Sequence, residues 1–368
     1  MLVYDIKEVS QYAEESDYKA YKPKEVGTFA KTKDEEFVNC NKAVIPTLRN
    51  PKVPLDLNKG YDPNAENFFK SDTEEILMWV QGSHEDGSLL DRSLSEIDVI
   101  AQRGALNKIG YTIHNYFKNP WKLEACKYAG KMYIRKIDAP QEIGNKDAQW
   151  GRKFEELWIE NDPDIKATYR MLKGKIGNKI VLLSAEVDAT DDKGKYVEAK
   201  TCYWGNNKIA STWLQSYLGK VDVLHIAYKD RYGIVEDKPE QLKMFKVPGS
   251  HKKLSKSDAN AMIGFLGDVI DWMYGALPDE NETWVVEYNG GSTGQICLKS
   301  TGEEFLPNWY KQFVDRSTGT GSTSAVTSST GTGSISAATS STGTGSTSVV
   351  TSSTGTGSTS AVTSSATE

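Results

Sequence analysis

KIVLLSAEVDATDDKGKYVEAKT, residues 179–201, holds two strand patterns separated by a turn. Residues 179–189 are rich in β-branched and apolar types, and residues 195–201 alternate with the two-residue period of a strand. Between them Thr190-Asp191-Asp192-Lys193-Gly194 is turn chemistry. A three-residue loop, Asp192-Lys193-Gly194, would place Gly194 at the left-handed position of a bulged hairpin. That register sets Asp191 against Lys195, Asp188 against Glu198 and Glu186 against Lys200. The side chains of Glu186, Asp188, Glu198 and Lys200 then share one face, and Ala185, Val187, Val197 and Ala199 take the other. Opposed acids on adjacent strands lie about 5 Å apart and repel. A divalent cation is the natural counter-charge, and oxygen donors at this density suit Mg²⁺ or Mn²⁺.

Working outward, NKDAQWGRKFEELWIE (145–160) has Trp150, Phe154, Leu157 and Trp158 at i, i+4, i+7 and i+8, the stripe of an amphipathic helix. Glu155 follows Gly151 by four residues, so its side chain points over a position that has none. Two metals held by Glu155, Glu186, Asp188 and Glu198 could activate a water and stabilise the leaving oxygen of a phosphoryl transfer. Lys200 would contact the non-bridging oxygens. Taken singly, an E-x-D or E-x-K is more often a solvated sheet face, and a lone Glu155 a surface acid. Their convergence in one register is what carries the reading. Downstream, the pattern predicts a helix to about Leu218 stopping at Gly219, a strand over VDVLHIAY (221–228), and a buried helix starting near Ser257. Strands and helices are interspersed, which predicts a mixed α/β (α+β) body.

Composition bounds the partners. Lys and Arg number 44 against 50 Asp and Glu, a net charge of −6 over 368 residues. The whole chain therefore does not attract nucleic acid, and any RNA contact needs a local basic groove. His251-Lys252-Lys253 with Lys256 reads as a solvated helix entrance that could contribute to one. Cys40, Cys126, Cys202 and Cys297 form no C-x-x-C pair, which argues against a zinc knuckle or disulfide scaffold and for a reducing compartment. His84, His114, His225 and His251 show no ligand spacing and read as structural. The first twenty residues lack an apolar h-region, and no stretch reaches the roughly 20 apolar residues of a membrane span. The expected location is intracellular and soluble, cytoplasmic and/or nuclear, without membrane contact. From Ser317 onward four copies of a twelve-residue unit beginning STGTGSTSAVTS offer almost no large apolar side chains, so this tract should be disordered. The expected organisation is an N-terminal extension over 1–20, a single catalytic domain over 21–316, and the repeat tail over 317–368.

These motifs, in this order, resemble the DXO family of decapping exoribonucleases. WGRKFEE (150–156) is similar to the family's G-x-x-F-E helix, SAEVDAT (184–190) to its E-x-D strand and YVEAKT (196–201) to its E-x-K strand. AQRGALNKIG (101–110) resembles the segment with the substrate-binding arginine. WLQSYLGKVDVLHIAYKDRYG (213–233) resembles the helix and strand that carry an active-site glutamine. Weaker echoes lie in KPKEVGTF (22–29), QLKMF (241–245) and FLPNWY (305–310), so the likeness spans roughly residues 21–315.

The resemblance implies two β-sheets with surrounding helices and an active-site hairpin akin to the D…(D/E)-x-K nucleases. It implies Mg²⁺- or Mn²⁺-dependent removal of NAD or incomplete caps from RNA 5′ ends, often with 5′ to 3′ degradation. By position it makes Glu155, Glu186, Asp188, Glu198 and the Ala199 carbonyl metal ligands. Arg103, Lys200 and Gln215 would hold substrate phosphates, with Gln102, Gly104, Tyr169 and Glu186 along the substrate's path. Gln102, Arg152 and Tyr228-Lys229 depart from the family pattern without removing a ligand, which bears on substrate preference. A D…E-x-K hairpin alone would equally serve a DNA nuclease; the Arg103 and Gln215 motifs favour RNA. A catalytically silent RNA-end binder is disfavoured by the intact acids.

Overall fold

The computed structural model describes residues 1–318 except 40–44, 66–67, 70–72, 86–95, 115–118, 138, 141–142, 204–207 and 291–293. Cys40, the His84 side chain and the repeat tract beyond 318 lie outside the described residues.

Two sheets dominate. The larger has ten strands in the order Leu2–Asp5, Gln295–Glu304, Glu282–Tyr288, Trp121–Tyr128, Lys131–Lys136, Val99–Gln102, Lys179–Glu186, Ile165–Ile176, Lys24–Thr32 and Phe37–Asn39. Val99–Gln102 runs parallel to both of its neighbours, and the other pairs are antiparallel. The smaller has six strands in the order Ile159–Glu160, Thr47–Leu48, Ala189–Thr190, Tyr196–Cys202, Val223–Tyr228 and Glu240–Lys243. Tyr196–Cys202 and Val223–Tyr228 are parallel, so the chain between them must cross over; the helix Ile209–Leu218 makes that crossing.

Three cores follow from which faces these elements bury. Helices Arg103–Tyr111, Ile209–Leu218 and Lys256–Ala276 cover one face of the large sheet, with Leu106, Trp213 and Phe265 fully buried against Val99, Leu183 and Leu298. Helices Thr73–Glu85 and Asn308–Thr318 cover the other through Trp79, Tyr310 and Phe313. Helix Lys146–Trp158 lays Trp150, Phe154 and Trp158 on Ala189, Ala199 and Val235 of the small sheet region. The architecture is the mixed α/β arrangement of two sheets with surrounding helices that the sequence implies. Residues 1–20, set apart in the sequence as an extension, contribute an edge strand at Leu2–Asp5 and buried Tyr12 and Tyr18.

Local expectations hold where they depend on local chemistry. Asn145 caps the Lys146–Trp158 helix, its side chain accepting from Ala148 N at 3.0 Å. The buried helix begins at Lys256, beside Ser257 as expected, with Ser255 as its N-cap in a reciprocal capping box with Asp258. The crossover helix does stop at Gly219, but Gly219 has φ −76° and the left-handed residue is Lys220, at φ +51°.

The long strand 179–189 requires correction. Its chain pairs in the large sheet as far as Glu186, which stands opposite Tyr169. After Val187, whose N–H donates to Thr168 O at 2.8 Å, the chain crosses to the small sheet and pairs again only at Ala189 with Val197 and Thr190 with Tyr196. The turn itself is as expected, with Asp191 N donating to Lys195 O at 2.9 Å and Gly194 at φ +71°. Glu186 therefore does not face Lys200 across a ladder. Alternation fixes which residues share a face but not which sheet each segment joins.

Among the described residues no helix is long and apolar enough to cross a membrane. Cys126, Cys202 and Cys297 are free thiols. His225 is buried and its Nδ1 accepts from Trp158 Nε1 at 3.2 Å, a structural role.

Candidate active site

The crossing between the sheets brings the acids together. Glu198 and Lys200 are two residues apart on Tyr196–Cys202 and share a face. Asp188 sits in the crossing, where its Oδ2 accepts from Ala199 N at 2.8 Å, an anchor that also brings the Ala199 backbone to the cluster. Glu155 arrives from the Lys146–Trp158 helix, and at Gly151 an added Cβ would meet open space, so the room beside this carboxylate is real. Lys200 is the hub: its ammonium lies 2.8 Å from Glu198 Oε1, 3.3 Å from Asp188 Oδ2 and 3.6 Å from Glu155 Oε1.

Arg103 completes the charge pattern. It opens the helix Arg103–Tyr111, is buried, and places Nη1 3.1 Å from Glu198 Oε2. Gln215, on the crossover helix, donates from Nε2 to Glu198 Oε1 at 3.1 Å. Gly219 makes space for the guanidinium, since a Cβ there would stand 2.9 Å from Arg103 Nη1 and 3.3 Å from its Cδ. Sequence reasoning did not single out Gly219 beyond a helix stop.

The titration behaviour follows from this geometry. Burial works against ionising Glu198, but Lys200 and Arg103 outweigh it and hold the carboxyl below the usual range. Burial raises Asp188, and Glu198 adds to the rise against the pull of Lys200. Glu186 is raised by desolvation in the cleft and by Asp188. Glu155 is pushed up to about 8 by burial, with Lys200 opposing and Asp188, Glu186 and Glu198 reinforcing. One acid is thus firmly ionised and three resist ionisation, the signature of a carboxylate cluster short of positive charge. Four carboxylates against Lys200 and Arg103 leave two negative charges uncompensated when all are ionised.

A hard divalent cation fits that donor set and that charge deficit. As the side chains stand, no three His, Cys, Asp or Glu groups among the described residues close around one ion, because the Lys200 ammonium lies between Glu155, Asp188 and Glu198. A cation held by these acids would have to share them with that ammonium, and would favour the ionised form of Glu155. Calorimetric Mn²⁺ titrations at pH 7 in buffers of different ionisation enthalpy should therefore report about one proton released, with affinity rising as the pH climbs through about 8. Buffer-independent heats would show that no raised carboxyl takes part.

Beside the acids lies a cavity of about 300 Å³ lined by Gln102, Arg103, Gly104, Tyr169, Glu186 and Gln215. Strand register explains the grouping. Tyr169 pairs with Glu186, and Ser184, on the same face as Glu186, pairs with Gln102. Gln102 ends its strand and precedes the Arg103 helix, and its Oε1 accepts from Lys136 N at 2.7 Å, so it braces the wall. Tyr169 stacks on Phe29 with ring centroids 4.7 Å apart. Asn107, Lys108, Lys136 and Ser184 also line the cavity and were not singled out in the sequence. The side chain of Lys136 passes over Gly104, 3.2 Å from where a Cβ would stand.

Comparison with known proteins adds the family. The family description "RAI1 like PD-(D/E)XK nuclease" matches residues 21–311. The decapping nuclease dom-3 of Caenorhabditis elegans is 25% identical over 279 residues, 64% of this chain and 68% of that protein. Scheffersomyces stipitis Rai1, solved in complex with (3′-NADP)+ and calcium ion, shares the fold with a TM-score of 0.65 at 19% identity, over 85% of this chain and 100% of that one. Candida albicans Rai1, solved in complex with pU5-Mn2+, gives a TM-score of 0.64 at 16% identity, over 86% and 100%.

Proposed function

The chain belongs to the RAI1-like PD-(D/E)XK nuclease family, and from that premise we propose that it is a divalent-metal-dependent hydrolase of RNA 5′ ends. Its substrates on this reading are NAD-capped or incompletely capped RNAs and 5′ pyrophosphates, with 5′ to 3′ exonuclease activity on the exposed strand. The observation that carries the proposal is the juxtaposition of the charge-deficient acid cluster with the cavity that Arg103 and Gln215 share with it.

Glu155, Glu186, Asp188, Glu198 and the Ala199 carbonyl would hold Mg²⁺ or Mn²⁺, two ions in all. Bound there, the metal supplies a nucleophilic water at neutral pH and charge stabilisation for the leaving oxygen. Arg103 grips two phosphate oxygens at once while remaining tethered to Glu198. Lys200, which lies 3.6 Å from Glu155 and 3.3 Å from Asp188, would contact the non-bridging oxygens where negative charge builds. Gln215 positions both Glu198 and the substrate, and Gln102, Gly104 and Tyr169 line the entry. We take residues 1–318 as the catalytic domain, since residues 1–20 supply an edge strand of the large sheet and the last described helix runs to Thr318, and the residues beyond as dispensable for catalysis.

The test is incubation of the full chain, and of a chain ending at Thr318, with RNAs bearing 5′ monophosphate, triphosphate, unmethylated cap, methylated cap or NAD. Each is run with Mg²⁺, Mn²⁺ or EDTA. Metal-dependent release of the 5′ group, equal for both lengths of chain, is expected. Inertness toward every 5′ end in both metals would refute the hydrolase, and loss of activity or of several degrees of melting temperature in the shorter chain would refute the tail assignment.

A further inference from the structure

A second charged feature lies outside the acid site. Lys22, Lys24, Lys195, Lys220 and Lys243 ring a groove of about 530 Å³ whose other walls are Tyr21, Pro23, Tyr217 and Phe245, and whose lining includes a single acid, Asp222. All five lysines are exposed, and none makes an ion pair with a carboxylate among the described residues. Asp222 is already engaged, its Oδ2 accepting from Tyr196 N at 3.0 Å. In a chain of net charge −6, this concentration of unneutralised ammonium groups within one groove is a local field opposite in sign to the whole. Like charges so placed repel unless a polyanion spans them.

The groove is built rigidly. Lys220 is held in the left-handed region at φ +51°, its N–H donating to Tyr217 O at 3.0 Å, while Arg170 Nη1 donates to Gly219 O at 3.1 Å and Lys220 O at 3.3 Å. Tyr21 OH donates to Leu218 O at 3.0 Å, tying the Lys22–Lys24 segment to the same turn. At the rim Phe245 leaves 67% of its surface exposed, although the preceding Met244 is buried. An exposed aromatic face beside a row of ammonium groups is the combination that single-stranded nucleic acid uses: bases stack on the ring and phosphates follow the charge.

We propose that this groove binds single-stranded RNA outside the acid site. Lys195 lies three residues before Glu198 on an extended segment, about 10 Å along the chain, an odd step that turns its side chain to the face away from Glu198, so the groove is a surface separate from the acid site. Lys220 follows Gly219, whose backbone packs on the Arg103 guanidinium. RNA held here raises the local concentration of 5′ ends without touching the reacting atoms. The inference takes from the proposed function only that RNA is the ligand, and its test does not depend on turnover.

The test measures anisotropy of a 3′-fluorescein single-stranded 12-mer RNA in EDTA, with wild-type chain, Lys195→Glu/Lys220→Glu/Lys243→Glu, the same three positions as Gln, and Phe245→Ala. The Glu triple variant should bind at least tenfold more weakly near 0.1 M salt, and the Gln variant should show a salt slope shallower by roughly two, as three phosphate contacts are lost. Phe245→Ala should weaken binding by about fivefold or more with the slope unchanged. In Mn²⁺, turnover of a dinucleotide-sized 5′-end substrate should stay within twofold of wild type while KM for the 12-mer rises. Wild-type affinity in both triple variants overturns the proposal, as does tighter binding of poly-glutamate or phosphatidylserine vesicles than of RNA. If no 5′ end is hydrolysed yet the triple variants lose RNA, the catalytic reading fails and the groove stands.

Discussion

Glu186→Ala is expected to lower hydrolysis of RNA 5′ ends by about a thousandfold or more while the protein melts at the wild-type temperature or above it. The two effects have one origin. Desolvation and the Asp188 charge raise the Glu186 carboxyl, so its ionised form is disfavoured in the folded chain relative to the unfolded one. A carboxyl whose folded value lies above its unfolded value destabilises the fold above both values and contributes nothing below both. Removing Glu186 should therefore raise stability most at neutral and alkaline pH, and the gain should vanish as the pH falls below the ordinary carboxylate range. Asp188→Ala should lose activity equally but without the gain in melting temperature. It removes the same kind of repulsion, yet it leaves the Ala199 N–H without its 2.8 Å acceptor, a loss of about 1–3 kcal/mol that offsets the relief. Thermal melts at pH 5 and pH 8, beside turnover in Mn²⁺, separate the two variants. Full turnover by Glu186→Ala would remove this acid from the site.

How much of this could be read from the sequence depended on range. The Asp192-Lys193-Gly194 turn was legible because Gly194 is needed at φ +71° within the loop itself. Glu198 and Lys200 were legible because alternation alone puts them on one face. Glu155 with its empty neighbour at Gly151 followed from helix geometry. The split of residues 179–189 between two sheets was not legible, because the apolar pattern is the same on either side of Val187, although the partner of Glu186, Tyr169, lies on the preceding strand of the same hairpin. Nor could the sequence show Lys200 at the centre of three acids, or Gly219 making room for Arg103. Each depends on segments that meet only after folding. His251-Lys252-Lys253 reads as a solvated helix entrance, while the lysines Lys22, Lys24, Lys195, Lys220 and Lys243 that line the groove come from separate segments that no local motif joins.

Lys200→Ala and Arg103→Lys should separate the two cations that flank Glu198. Burial opposes the charge on Lys200, but Asp188, Glu198 and Glu155 outweigh it and hold the ammonium charged well beyond neutral pH. Its removal leaves four carboxylates facing Arg103 alone, so the metal-free variant should melt lower than wild type. Mn²⁺ then need not share the acids with an ammonium, and the variant should bind the metal at least as tightly as wild type and gain more melting temperature from it. Turnover should still fall by about a hundredfold or more, because the phosphate oxygens lose their contact as charge develops. Arg103→Lys should behave differently. It keeps a cation beside Glu198, so metal affinity and melting temperature should stay close to wild type, while loss of the planar fork lowers 5′-end hydrolysis by roughly a hundredfold. Calorimetric Mn²⁺ titration and melts with and without the ion distinguish these outcomes. If Lys200→Ala loses its metal, the lysine supports the ligands rather than the substrate. If Arg103→Lys hydrolyses every 5′ end at the wild-type rate, the guanidinium serves only to neutralise Glu198.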